Sequence, residues 1–158
     1  MNRRLLTANM LALLLPAALL AGAYAFQYLM GLPPCEMCWW QRYPHMAAIV
    51  LALVAAIAGR RAARRWLITL AAVAIAASGA IGIYHAGVEQ KWWAGITACS
   101  AAPVTGSTAQ ILAEVMATPL VRCDAIPWSL LGISLAGWNA IISLIGALLI
   151  LRLARKSQ

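Results

Sequence analysis

Polar positions are scarce along this chain, and most of them come in clusters. Between the clusters run four uncharged stretches, Leu5–Pro34, Tyr43–Gly59, Trp66–Val88 and Ala125–Leu151. A membrane-crossing helix takes about 20 apolar residues, within a range of roughly 17–25. The first, third and fourth stretches reach that length with residues to spare. The second has only 17, so its helix is expected to begin earlier, back through Arg42 into the interface. The pattern predicts spans at about 8–30, 41–59, 66–87 and 127–151, with loops at about 31–40, 60–65 and 88–126. The predicted fold is an all-α membrane protein, a four-helix transmembrane bundle forming one domain over residues 1–158. In the long loop, Ser107-Thr108-Ala109-Gln110 has the form of a capping box. Ile111, Leu112, Val115 and Met116 follow at helical spacing. A short helix is expected there, lying flat on the membrane or packed on top of the bundle, and periodicity fits both. Thr118-Pro119 should end it.

Composition sharpens this picture. The chain is 64% hydrophobic and 10% charged, where soluble domains average about 25% charged. In water so apolar a surface would aggregate; in lipid it is at home. Small residues recur inside the runs, as in Ala71-Ala72 and Ala76-Ala77-Ser78-Gly79, and let helix backbones approach closely. The net charge of +8 suits a nucleic-acid binder in principle, but the basic residues sit beside apolar runs. They point to membrane lipid, with no nucleic acid partner.

The charges also orient the spans. Arg3, Arg4, Arg60, Arg61, Arg64, Arg65, Arg152, Arg155 and Lys156 fall on one side of a four-span arrangement, and all four acids, Glu36, Glu89, Glu114 and Asp124, on the other. The positive-inside rule then places both termini in the cytoplasm. Trp39, Trp40, Trp92, Trp93 and Trp128 flank the outer boundary, where indole rings settle. The start of the chain, Asn2-Arg3-Arg4 followed by an apolar run and Ala23-Tyr24-Ala25, also has the form of a cleavable signal peptide. The run continues to Cys35, long enough to span, and length favours a retained helix.

All four cysteines fall in the outer loops. Cys35 and Cys38 form Cys-Glu-Met-Cys in the first, and Cys99 and Cys123 lie in the second. Two structural disulfides are one reading, which a 24-residue separation suits better than a Cys-x-x-Cys ring. Zinc is a second, but tetrathiolate sites show two close pairs and here one pair is wide. Thiol–disulfide exchange is a third, and Cys-x-x-Cys serves it. Pro33-Pro34 suggest that a helix opens near Cys35, whose amino end favours thiolate. Arg42 follows Cys38 by four residues, one helical turn, and holds a permanent cation on that face. Interfacial snorkelling explains Arg42 equally. His85, near the outer end of the third span, is a functional candidate or a hydrogen-bonded interfacial histidine. His45, beside Pro44, suggests no specific role.

Cys35-Glu-Met-Cys38 followed by Arg42, His85, single cysteines at 99 and 123, and Cys123-Asp-Ala-Ile-Pro-Trp-Ser-Leu-Leu-Gly together resemble the disulfide bond formation protein B family, DsbB, over about Leu5 to Leu151. The vitamin K epoxide reductase-like group is also a four-helix redox family, but its Cys-x-x-Cys typically opens the last span, and here it opens the second. The DsbB resemblance implies a bacterial inner-membrane oxidase of a periplasmic DsbA-like thioredoxin-fold protein, with a quinone, ubiquinone or menaquinone, as electron acceptor. It implies that the partner attacks Cys99, that Cys123 is the loop partner of Cys99, and that Cys35 exchanges with that loop. Cys38 would face the quinone, with Arg42 and also His85 as ring contacts.

Redox chemistry supports the same direction. The chain has no nucleotide-binding glycine motif and no Cys-x-x-Cys-His haem site. DsbA-type dithiols sit near about −120 mV, so their re-oxidation needs a still more oxidising acceptor, and a lipid-soluble quinone is the simplest. A reductase exporting electrons would need a cytoplasmic thiol, and a non-enzymatic scaffold with structural disulfides remains the rival class.

Overall fold

The computed structural model describes residues 3–96, 107–117 and 121–155. Cys99 and the Thr118-Pro119 stop lie outside the described residues. Within them the chain forms α1 (Arg3–Tyr28), α2 (Glu36–Ile57), α3 (Arg61–Glu89), α4 (Thr108–Ala117), the hairpin β1 (Ser129–Leu130) and β2 (Ile133–Ser134), and α5 (Leu135–Arg155). α1, α3 and α5 are long and apolar enough to cross a membrane. α2, which carries Glu36, Arg42 and His45 in its first half, packs along both α1 and α3, and α5 closes the ring against α3 and α1.

Small side chains make this packing possible. Ala8, Ala12, Ala48, Ala52, Ala71 and Ala147 are buried together with Leu5, Ile68, Ile75 and Ile150. In lipid the apolar effect does not draw helices together, so close contact and polar links must. At Gly82 the helix backbones themselves come close: a Cβ would lie 2.9 Å from the Ala136 carbonyl oxygen and 3.1 Å from the Ala140 nitrogen. Any side chain there would push α3 off α5. Val50, Leu53, Leu70, Val73, Ile145 and Leu148 are exposed on the outer faces, as lipid contact requires. α1 runs through Pro16 and α2 through Pro44 without interruption.

Helix ends follow local chemistry. The capping box forms as its residues dictate: the Ser107 amide donates to Gln110 Oε1 (2.9 Å) and the Gln110 amide to Ser107 Oγ (3.4 Å). The fourth apolar stretch behaves differently from its expected start near 127. Its first residues form a two-residue hairpin in which Leu131 (φ 55°) and Gly132 (φ 77°) are both left-handed, the backbone pattern that turns antiparallel strands tightly. Helix begins only at Leu135, where Ser134 Oγ accepts the Gly137 amide at 3.2 Å. An apolar run shows where lipid is tolerated; turn residues decide where helix starts.

Candidate active site

Pro33 and Pro34 keep the chain extended up to Cys35, which caps α2 with its side chain: Cys35 Sγ accepts the Cys38 amide at 3.3 Å. One helical turn then brings the two thiols face to face, with sulfurs 2.9 Å apart, against about 2.05 Å in a formed disulfide. Cys35 is buried and Cys38 half-buried. Either sulfur can donate in that contact. Arg42, one turn on from Cys38, places a permanent cation near that thiol, and a nearby cation favours thiolate, the better leaving group in disulfide exchange.

His85, on α3, reaches this pair. Its Nε2 lies 3.6 Å from Cys35 Sγ and its Nδ1 lies 2.8 Å from Gln41 Nε2. Gln41 Nε2 also donates to the Met37 carbonyl at 3.1 Å. A carbonyl oxygen only accepts, so the amide nitrogen of Gln41 faces both partners and His85 Nδ1 is an acceptor. The proton of the neutral ring then sits on Nε2, toward Cys35. The ligand atoms of Cys35, Cys38 and His85 all lie within 4.8 Å of one another, a metal-like spacing. A metal would need the bare Nε2 lone pair, which the Gln41 bond assigns to a proton. The arrangement suits thiol chemistry better than metal binding.

Behind Cys38 lies a cavity of about 230 Å³. Its walls are apolar residues of α1, including Leu19 and Phe26, the Pro33-Pro34 bend and Trp138 of α5; Cys38, Arg42 and His45 supply polar points. Arg42 is 6% exposed. Its guanidinium donates to Gln27 Oε1 (2.6 Å) and to the Ala23 carbonyl (3.3 Å), and lies over the rings of Tyr24 (4.8 Å) and Trp39 (4.9 Å). All four partners are neutral, and no carboxylate pairs with Arg42 among the described residues. A buried cation without a counter-ion is expensive unless its surroundings or a ligand offset the charge.

At the same end of the bundle, Cys123 packs on the cluster of Cys35, Met37 and Val88, and its main chain lies within hydrogen-bond reach of His85. An ionic tether holds its neighbour: Asp124 Oδ2 accepts from Lys91 Nζ (2.5 Å) and both Asp124 oxygens accept from Arg122. Arg122 first and Lys91 second hold the Asp124 carboxyl below the usual carboxylate range. The tether therefore persists as pH falls through the ordinary carboxylate range. Three of the four cysteines thus meet where α2 begins and α3 ends; Cys99 lies outside the described residues.

Residues 4–153 match the family model described as disulfide bond formation protein DsbB. The chain belongs to the DsbB family. It is 36% identical over 146 residues to disulfide bond formation protein B of Verminephrobacter eiseniae, covering 87% of this chain and 80% of that one. It is 34% identical over 140 residues to the protein of the same name from Marinobacter nauticus (83% and 80%), and 33% over 167 aligned positions to that of a Polaromonas species (99% and 95%). No solved structure matches it. As a DsbB-family chain with several spanning-length helices, it is a multi-pass membrane protein of disulfide-bond formation.

The DsbB site holds residues that sequence reasoning passed over. Gln41, His45, Ser78, Asn139 and Ser143 form one buried polar network across α2, α3 and α5. Their signal was available: polar side chains inside otherwise apolar runs are costly in lipid unless they pair. Glu89, buried at the end of α3, is bound by Ser134 of β2, a pairing across 45 residues that no spacing rule reveals.

Proposed function

We propose that this chain re-oxidises a periplasmic DsbA-like dithiol protein and passes the electrons to a membrane quinone, ubiquinone or menaquinone. The observation that carries the reading is the cavity beside Cys38: apolar, walled by the helices, and furnished with a buried arginine that has no carboxylate partner among the described residues. In this reading α2 is a fourth span, both termini are cytoplasmic, the membrane is the bacterial inner membrane, and α1 is retained, since Leu19, Ala23 and Phe26 wall the cavity. Reporter fusions after Arg65 and at Gln158 should read cytoplasmic and one near Gly106 periplasmic; a periplasmic signal at Gln158 would overturn the orientation.

The relay follows from thiol exchange. A partner thiolate attacks the Cys99 sulfur of a Cys99–Cys123 disulfide, and Cys123 leaves as thiolate. The partner's second thiol resolves that mixed disulfide and departs oxidised. One loop thiolate next attacks Cys35 of the Cys35–Cys38 disulfide, and Cys38 leaves as thiolate; the second loop thiol resolves the Cys35–loop bond, Cys35 leaves reduced, and the Cys99–Cys123 disulfide is restored. The packing of Cys123 on the cluster that holds Cys35 supports that order, as does the Arg42 cation beside Cys38. A bound quinone supplies an acceptor for two electrons and two protons. Arg42 keeps a fixed positive charge at the cavity wall, where negative charge develops. The His85 Nε2 proton lies between Cys35 Sγ and the Cys123 main chain and so links the dithiol to the loop.

The rival scaffold reading makes a different prediction. Structural disulfides resist a glutathione buffer, whereas redox-active ones equilibrate with it. In purified protein Cys35–Cys38 should equilibrate, and added quinone should drive it fully oxidised. Two disulfides indifferent to both reagents would establish the scaffold.

A further inference from the structure

His45 lines the same cavity two turns deeper than Cys38, and its hydrogen bonds leave one nitrogen bare. The tautomer follows from the network. Asn139 Nδ2 donates to the Ser78 carbonyl (3.3 Å) and to Gln41 Oε1 (2.8 Å), so Asn139 Oδ1 is an acceptor. It lies 2.9 Å from His45 Nε2. The Ser78 hydroxyl, also 2.9 Å from Nε2, spends its only proton on the Gln41 carbonyl at 2.8 Å. The Ser143 hydroxyl gives its proton to Asn139 Oδ1 at 3.2 Å. Every neighbour of Nε2 accepts, so Nε2 carries the proton and Nδ1 presents a lone pair. That nitrogen is buried, in a residue 3% exposed, and has no partner among the described residues. Burying an unpaired acceptor is costly.

A bare lone pair discriminates by chemistry. A carbonyl oxygen offers it nothing, because both are acceptors. A ring hydroxyl offers a proton. Arg42, by contrast, is all donor and favours an oxygen that is a carbonyl or anion. His45 follows Arg42 by three residues, about 4.5 Å along the helix, so both can address one small ring.

We propose that His45 Nδ1 accepts a hydrogen bond from a hydroxyl of the reduced ring, making the deep end of the cavity selective for hydroquinone over quinone. This rests on the quinone reading of the cavity. A net hydrogen bond is worth a few-fold to about tenfold in affinity. His45→Gln retains an N–H for Asn139 while removing the Nδ1 lone pair.

The test uses the full chain in lipid nanodiscs with its cysteines oxidised, and equilibrium dialysis of a decyl-substituted benzoquinone and its hydroquinone. His45→Gln should weaken hydroquinone binding by about tenfold and leave quinone binding within about twofold. Equal weakening of both would make His45 a purely structural residue and overturn the proposal, as would unchanged hydroquinone binding. Binding of neither probe to the wild-type protein would instead overturn the quinone reading itself. As a check independent of the variant's folding, the His45 Nδ1 resonance of ¹⁵N-histidine-labelled wild-type protein should shift on adding hydroquinone and stay in place with quinone. Equal shifts, or none with either bound probe, would refute the selectivity.

Discussion

Cys38→Ser should abolish quinone-coupled oxidation of a dithiol partner, a loss on the order of a thousandfold or more, because nucleophile removal in a covalent relay leaves no parallel route. The geometry predicts more than inactivity. Cys38 is the thiol that shares its hydrogen bond with Cys35 and lines the cavity. Without it, Cys35 is a lone buried thiol packed beside Cys123. The Cys35 thiol can open a Cys99–Cys123 disulfide, and with Cys38 gone only the released loop thiol can reverse the Cys35–loop bond so formed, since exchange needs a second sulfur. Cys38→Ser should therefore accumulate a Cys35–loop disulfide, visible as a linked peptide pair after digestion without reductant. Turnover near wild type in Cys38→Ser would mean that electrons reach the acceptor by another sulfur.

The next largest effect is expected at Arg42. Losing one preorganised donor aimed at developing negative charge costs about 2.7–4 kcal/mol, roughly a hundred- to thousandfold. Arg42→Ala should lose quinone reduction by that factor while exchange between the partner and Cys99–Cys123 stays nearly normal. Arg42→Lys keeps the charge, but a compact ammonium cannot reproduce a planar group that donates to Gln27 and Ala23 and lies over Tyr24 and Trp39. Partial activity is the expected result for Lys. Stopped-flow measurement of the two half-reactions separates them. Normal quinone reduction by Arg42→Ala at every quinone concentration would leave Arg42 as an interfacial anchor only.

The helices, and the opening of α2 at the dithiol, were legible because lipid imposes a length and proline imposes a start. Arg42 could be placed near Cys38 by helical spacing alone. Its partners on α1 could not, because Gln27 and Tyr24 reach it through tertiary packing. His85 illustrates the same limit. Its position at an outer helix end marked it, yet its orientation depends on Gln41, 44 residues away in the chain. His45 suggested no role in sequence because a histidine's chemistry depends on which nitrogen bears the proton. That is set by Asn139 and Ser78 on two other helices. The hairpin before α5 was hidden inside an apolar run, where hydropathy overrode the turn signal of Gly132.

The central claim is that the Cys35–Cys38 dithiol delivers its electrons to a quinone inside the bundle. It is tested most directly by a single anaerobic turnover of purified protein in which only Cys35 and Cys38 are reduced, mixed with one equivalent of quinone. The account predicts one hydroquinone formed and two thiols lost per protein, both suppressed when Cys38 is alkylated beforehand. Thiols that persist alongside unreduced quinone would contradict it.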